Sequence, residues 1–519
     1  MRVTAALRRA EQVNAGGTAI EFGERISTWG EVAERVRKMA GALAGLGLEA
    51  GDRVAILANN SDRYLEYYFF VPWAGGVVVP LNTRWAAPEN IYALNDSGST
   101  ILFVDDDFAP MLAAFEGRLE SVKTVIHMGD GPAPAGALSY ESLLAAAEPA
   151  ADAERHDGDL YGIFYTGGTT GTSKGVMLSH GNIVANMLNV LASLDYKDDD
   201  CWLHAAPMFH LADGSSILGL TARAARHAII PKFEPVAAMQ AIERHRVTYC
   251  LFVPTMLNML VNHPQVGDFD LTSVRRVLYG ASPMPIAVLE QAMVTLKGWE
   301  FIQGYGMTEL SPLTTTLEWK FHEVDGPNAG RLASCGRAVT GVEVGVFDEN
   351  GVPCPAGTIG EICSRGPHVM QGYWNKPDLT AAAIREGWMR TGDAGYMDED
   401  GFFYLVDRVK DMIVSGGENV YSAEVEQAVY QHDAVAECAV IGIPDEKWGE
   451  AVHAIVVLKP GQTLDEAALI GHCHSLIAGY KCPRSVRFVD GPLPLSGAGK
   501  ILKTELRKPY WEGRERDIN

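Results

Sequence analysis

The sequence predicts an α/β protein: a large N-terminal domain of helix-covered, mainly parallel sheets with a β-rich subdomain, followed by a small α+β C-terminal domain. Three observations carry this reading. Helix-period and β-branched segments alternate up to about residue 335, the pattern of parallel sheets covered by helices. Gly, Pro and hairpin signals then become more frequent. From Val409, short strands and helices alternate again over about 110 residues, an ordinary domain size. The division is therefore placed at residues 1–408 and 409–519.

Thr28 and Glu31 form a T-x-x-E capping box ahead of Trp29, Val32, Val36, Met39, Ala40 and Leu43 at helical spacing, and Gly45 and Gly47 stop the helix. A strand runs from Arg53 to Ala58, and the apolar run Tyr67 to Leu81 reads as core, being too short for a membrane span and broken by Pro72. Helices are expected over Ile183 to Leu194, Val236 to His245 and Val288 to Leu296, with strands over Thr248 to Val253, Val274 to Tyr279 and Glu300 to Gln303. The β-rich stretch contributes Glu343 to Asp348 and Gly360 to Ser364. In Asp398-Glu399-Asp400-Gly401, Tyr396 and Asp407 occupy the first and bidentate positions of a calcium loop, so a hairpin turn explains it better. The small domain takes strands Ala434 to Ile441, Glu450 to Leu458 and Ser485 to Asp490 and helices Ser422 to Gln431 and Leu464 to Leu476. His472-Cys473-His474 lies on the second helix, where an ordinary helix face explains it better than a metal site.

A net charge of −22 argues against nucleic acid as the main partner, and anionic ligands must meet local positive charge. Such charge gathers late, at Lys481, Arg484, Arg487, Lys500, Lys503, Arg507 and Lys508. The eight scattered cysteines, with no C-x-x-C, read as reduced thiols, and the Met1 end carries no signal-peptide pattern, so a cytoplasmic protein is expected.

The segment Tyr165 to Val176 holds glycines, four threonines, a serine and Lys174 directly after an apolar run. Glycines let backbone N–H groups approach an anion, and hydroxyls and an ammonium complete a phosphate cradle. Ser173 and Gly175 flank the lysine where the kinase-type P-loop needs Gly before it and Ser or Thr after it, so the cradle follows another scheme. A flexible Gly/Thr surface loop stays open as the alternative. Four further segments accompany it. Gln303-Gly304-Tyr305-Gly306-Met307-Thr308-Glu309 places an aromatic ring, a hydroxyl and a carboxylate in one turn. Thr391-Gly392-Asp393 ends a strand with an acid suited to ribose hydroxyls. Asp407-Arg408-Val409-Lys410-Asp411 lies where the two domains join, and Pro494 to Lys500 delivers a lysine on a glycine-rich tip.

In this order, spread over residues 25 to 508, the five segments resemble the core motifs of the AMP-forming acyl-CoA synthetase superfamily. Within it, Ser415-Gly416-Gly417-Glu418-Asn419-Val420-Tyr421 and Pro444 to Glu450 look most like bacterial fatty-acid or aryl-acid CoA ligases. The family's loop usually has Pro before its lysine and often Ser after its first threonine, where this chain has Ser173 and Gly167. Both changes keep a phosphate-binding backbone.

The resemblance implies two half-reactions: a carboxylate attacks the α-phosphorus of ATP to give an acyl-adenylate and pyrophosphate, and the thiol of coenzyme A then displaces AMP. It gives Lys500, Thr308 and Glu309 to catalysis, with Mg²⁺ held near Glu309. Nucleotide contacts fall to Thr166, Gly167, Gly168, Thr169, Thr170, Gly171 and Lys174 at the phosphates. Gly280, Ala281, Ser282, Gln303, Gly304 and Tyr305 line the adenine slot, and Asp393 with Arg408 holds the ribose. The small domain would turn on a hinge at Lys410, exchanging the lysine tip for Ser415, Gly416 and Gly417 along the pantetheine path, with Trp448 near coenzyme A. His210, Ala212 and Ser216 would line the acyl pocket.

A medium- or long-chain fatty acid leads as substrate, with an aryl or cinnamic-type acid close behind. His210 stands where amino-acid-activating relatives carry Asp, which disfavours an α-ammonium substrate, although nearby Asp213 weakens that inference. An adenylation-only ligase loading a carrier protein, a luciferase-like oxygenase and a nucleotide-sensing pseudoenzyme remain the competing readings. No integral membrane segment is expected, and a homodimer is left open.

Overall fold

The computed structural model describes residues 1–166, 173–408, 411–415, 418–445, 447–496 and 499–512. Among these, four sheets organise the chain: nine and eight strands in the large N-terminal part, five in the β-rich part and five in the C-terminal part. This is the predicted mixed α/β architecture.

The central strands of both large sheets are parallel and separated by helices. In the nine-stranded sheet, Thr18–Phe22, Arg226–Ile229, Cys201–His204, Tyr249–Phe252, Arg276–Gly280 and Glu300–Gly306 run parallel, with antiparallel strands closing both edges. In the eight-stranded sheet, Arg53–Leu57 is flanked by Val77–Pro80 and Ile101–Val104. Leu160–Thr166 then folds back antiparallel onto Lys174–Ser179. That hairpin sets the two ends of the Gly/Thr-rich segment, Thr166 and Lys174, opposite each other near one sheet margin.

Helix Trp29–Gly45 begins as its capping box dictates: the Glu31 N–H donates to Thr28 Oγ1 at 3.3 Å, and the Thr28 N–H donates back to Glu31 Oε2 at 2.8 Å. Its stripe of Trp29, Val32, Val36, Met39 and Leu43 is fully buried. Each such side chain contributes about 1.5–3 kcal/mol of transfer free energy. The apolar run after Tyr67 resolves into two elements, the end of helix Asp62–Trp73, every residue of which is buried, and strand Val77–Pro80. The Tyr67 hydroxyl stitches them together, donating to the Val54 carbonyl at 2.6 Å and accepting the Val79 N–H at 2.7 Å.

The β-rich part is antiparallel throughout. Its Asp398–Gly401 turn joins Trp388–Met397 to Phe403–Arg408 as a hairpin, closed by the Asp398 N–H on the Phe402 carbonyl at 2.9 Å with Gly401 at φ +82°. In the C-terminal part, Val435–Asp445 and Gly449–Leu458 form a long antiparallel pair under helices Ser422–Tyr430 and Glu466–His474. Cys473 packs in that core while His472 Nε2 meets the Ala428 carbonyl at 3.1 Å, as expected of a helix face. No helix among the described residues is long and apolar enough to cross a membrane.

Candidate active site

Adjacent parallel strands Arg276–Gly280 and Glu300–Gly306 carry Gly280 opposite Gly304. A Cβ on Gly280 would lie 2.1 Å from the Gly304 carbonyl oxygen, so this approach admits glycine alone. Ala281 then turns the chain with φ +64°, a left-handed conformation that costs a non-glycine residue free energy and clusters at functional sites. Gly280, Ala281, Ser282, Gln303 and Gly304 thereby share one rim. Tyr305 is 9% exposed, its ring packed with Cys335, Ile362 and Phe403, and its hydroxyl donates to Asp393 Oδ2 at 2.8 Å. That bond ties the β-rich sheet to the end of the nine-stranded one. Asp393 stands opposite Arg408 in the antiparallel register; the Arg408 side chain lies outside the described set.

The turn after Gly306 is tight. The Met307 N–H donates to the Pro312 carbonyl at 3.0 Å, and a Cβ on Gly306 would sit 1.8 Å from that oxygen. Gly306→Ala must push two backbones apart, an overpacking cost of about 1–3 kcal/mol. We expect a lowered urea midpoint together with a raised KM for ATP, because Thr308 and Glu309 follow on the same turn. An unchanged midpoint would refute the contact.

Thr308 and Glu309 are both buried. Tyr373, which the sequence reading did not single out, joins Glu309 to the hairpin of Leu160–Thr166 and Lys174–Ser179. Its hydroxyl donates to Glu309 Oε1 at 2.8 Å, and the Lys174 ammonium lies 5.0 Å from its ring centroid. Burial raises the Tyr373 phenol pKa above its ordinary value and the Glu309 carboxylate raises it further, so it stays a neutral donor. Thr166 ends its strand and Lys174 begins the next; Gly167, Gly168, Thr169, Thr170 and Gly171 lie outside the described residues. The hard carboxylate of Glu309 beside this hairpin has the donor chemistry of a Mg²⁺ site, since that ion takes one or two carboxylates plus substrate phosphate oxygens.

The C-terminal part reaches this region through its lysine tip. The Lys500 N–H donates to Ser496 Oγ at 3.1 Å, and the Gly499 carbonyl accepts from Thr255 Oγ1 at 3.4 Å. Burial, with the Lys500 ammonium nearby, lowers the His210 imidazole to about 3. His210 is therefore neutral; its Nδ1 accepts the Ala212 N–H at 3.1 Å and caps helix Leu211–Arg223. Ala212 is half-buried beside it. Ser216 is 2% exposed, with its hydroxyl 3.5 Å from that of Tyr196. Asp213 faces the core: Trp202 Nε1 donates to it at 3.2 Å and His204 Nδ1 lies 2.7 Å away. Ser415 is buried opposite Gly449, and the Lys447 ammonium and the Arg484 guanidinium both lie over Trp448, 4.6 and 4.1 Å from its ring centroid. Lys410, Gly416 and Gly417 lie outside the described residues.

Residues 7–374 match the AMP-binding enzyme family and residues 424–500 the AMP-binding enzyme C-terminal domain. The chain is 39% identical to a feruloyl-CoA synthase of Amycolatopsis sp over 97% of its length and 98% of that protein's. It is 35% identical to a fatty acid–[acyl-carrier-protein] ligase of Streptomyces coeruleorubidus, over 95% and 94% of the two chains. Among solved structures, an anthranilate CoA ligase in complex with anthranoyl-AMP superposes with a TM-score of 0.90 at 27% identity, covering 98% of this chain and 97% of that one.

Proposed function

Because the chain belongs to the AMP-binding enzyme family of acid–thiol ligases, we propose that residues 1–408 bind ATP and an apolar carboxylic acid while residues 409–519 supply Lys500, forming an acyl-adenylate that coenzyme A then opens. The contact of the lysine tip with the main body carries this reading, since it brings the Lys500 ammonium close enough to act on His210. A carboxylate needs no general base at neutral pH. The obstacle is electrostatic, two anions meeting while charge builds on phosphoryl oxygens. Lys500 would lie between carboxylate and α-phosphate, Thr308 would donate to the α-phosphate, and Thr166 with Lys174 would hold the departing pyrophosphate. Glu309 would hold Mg²⁺, which supplies charge neutralisation at phosphate oxygens. Tyr305 and the Gly280–Ser282 rim would enclose adenine, and Asp393 with Arg408 the ribose.

For the second half-reaction the small domain would turn at Lys410, bringing Ser415, Gly416 and Gly417 along the pantetheine arm, with Trp448 and its cations near coenzyme A. The acid would lack an α-ammonium group: His210 is neutral and Asp213 is turned toward Trp202 and His204. The sequence reading put a fatty acid first. Whole-length similarity to a feruloyl-CoA synthase moves an arylpropenoic acid ahead, and similarity to a fatty acid–[acyl-carrier-protein] ligase supports the fatty acid as the second reading.

A pyrophosphate-release screen across cinnamic, benzoic and fatty acids, with coenzyme A or a phosphopantetheinylated carrier, tests the proposal. AMP and pyrophosphate should appear with a cinnamic-type acid and coenzyme A. Formation of ADP would overturn the mechanism, preference for fatty acids the substrate, and preference for the carrier the acceptor.

A further inference from the structure

Arg84 lies far from Lys500 in sequence and on the other side of the domain boundary, yet it reaches the base of the lysine tip. Its guanidinium NH1 donates to the Ser496 carbonyl at 2.6 Å. The same carbonyl accepts the Gly499 N–H at 2.9 Å, and Ser496 is hydrogen-bonded to the Lys500 backbone in both directions, its N–H to the Lys500 carbonyl and its Oγ from the Lys500 N–H. Arg84 therefore grips the residue that closes the turn presenting Lys500.

The grip is anchored. Asn82 Oδ1 accepts the Arg84 N–H at 2.9 Å, fixing the short turn after strand Val77–Pro80. Trp85 packs edge-on against Tyr165 at 6.4 Å between ring centroids, one residue before Thr166. The Tyr165 hydroxyl in turn donates to Asp96 Oδ2 at 2.6 Å. A path of contacts thus runs from the strand that ends at Thr166, through Trp85 and Arg84, to the lysine tip. On the other side of the tip, Thr255 Oγ1 meets the Gly499 carbonyl, and a Cβ on Gly499 would lie 3.1 Å from Val253.

We propose that Arg84 is a positioning residue for adenylate formation: it docks the Lys500 tip beside the phosphate-loop hairpin and is released when the small domain turns for thioester formation. This rests on the two-step reading above. A charge-assisted bond to a backbone carbonyl is sequence-tolerant at its acceptor and breaks as a unit with the tip, so its free energy acts on the docked state alone. Arg84 is exposed beyond this contact, which makes its replacement compatible with folding.

The test uses the full-length enzyme with three variants, Arg84→Gln, Arg84→Lys and Lys500→Ala, and the double variant of Gln with Ala. Arg84→Gln should lower kcat for acid-dependent pyrophosphate release about 10- to 100-fold, leave KM for ATP nearly unchanged, and leave thioester formation from supplied acyl-adenylate intact. Arg84→Lys, which keeps the charge without the planar fork, should recover part of the loss. In the Lys500→Ala background, Arg84→Gln should cost nothing further, because no ammonium remains to be positioned. A raised KM for ATP with unchanged kcat would make Arg84 a phosphate ligand and overturn the proposal. An additive loss in the double variant, or equal loss in both half-reactions, would overturn it too. Should the unaltered enzyme release no pyrophosphate with any acid, the two-step reading itself falls. Pyrophosphate release indifferent to Arg84→Gln sinks the positioning role alone.

Discussion

Lys500→Ala loses adenylate formation by about two to three orders of magnitude, the cost of removing one preorganised charge donor from a developing oxyanion, while conversion of supplied acyl-adenylate and coenzyme A to thioester persists. The expectation follows from where the ammonium is held. Its turn is closed through Ser496, gripped by Arg84 and set against Thr255, so Lys500 is presented by backbone geometry and not by a flexible stem alone. Its field already acts on His210, whose imidazole is lowered to about 3 by burial and then by that charge. Removing the ammonium lifts the second of these two influences, so the His210 imidazole should titrate higher in Lys500→Ala. Histidine proton shifts followed by NMR across acidic pH read this independently of activity. A variant with both half-reactions equally impaired, or with His210 unmoved, would show that Lys500 does not face this site.

How much of this was legible in the sequence depends on the range of the interactions concerned. Local signals served well: the Thr28–Glu31 capping box starts its helix, and Gly401 turns its hairpin where the Asp-Gly pair suggested. The strand read as ending at Gln303 runs on to Gly306, so of the expected turn from Gln303 to Glu309 only Met307, Thr308 and Glu309 lie beyond it. Helix Leu211–Arg223 was not read, because Gly214, Ser215, Ser216 and Gly219 depress helix propensity. Packing explains one of them: a Cβ on Gly214 would meet the Met208 carbonyl at 2.8 Å and the Tyr68 hydroxyl at 3.1 Å. Asp213 misled for a related reason. Its neighbours His210, Ala212 and Ser216 are the residues proposed to line the acyl pocket, but helical rotation turns its own carboxylate to Trp202 and His204. Tyr373 and Arg84 were invisible because each acts across a long sequence separation, with Glu309 and Ser496 respectively. A lone tyrosine or arginine carries no periodicity to mark it.

Lys503→Met is expected to destabilise the C-terminal domain by about 3–5 kcal/mol, the cost of stripping the cation from buried carboxylates. Lys503 begins helix Lys503–Trp511 and is 16% exposed; its ammonium meets Glu426 Oε1 at 2.7 Å and Ser422 Oγ at 2.6 Å. Burial alone would lower its pKa, but the attraction of Glu426, Asp407 and Asp411 outweighs that and raises it. Burial likewise raises the carboxyl pKa of Glu426 and Asp407 against the pull of Lys503. Asp407 ends the β-rich sheet and accepts the Ser422 N–H at the start of helix Ser422–Tyr430, while Asp411 takes Arg507 at 2.7 Å. The ammonium thus sits in the field of three acids on either side of the proposed hinge, the last of which, Asp411, also pairs with Arg507. The sign with pH follows from the raised lysine: its contribution is complete below about 10.5, the unfolded lysine value, and fades as pH climbs through the higher folded value. Chemical unfolding followed by Trp448 and Trp511 fluorescence should show the loss in Lys503→Met at pH 7. The difference between the two proteins should narrow as pH rises beyond 10.5. Adding Glu426→Gln should recover part of the stability by removing one uncompensated charge. A Lys503→Met variant as stable as the parent at pH 7 would show that these acids do not depend on Lys503 for their charge balance.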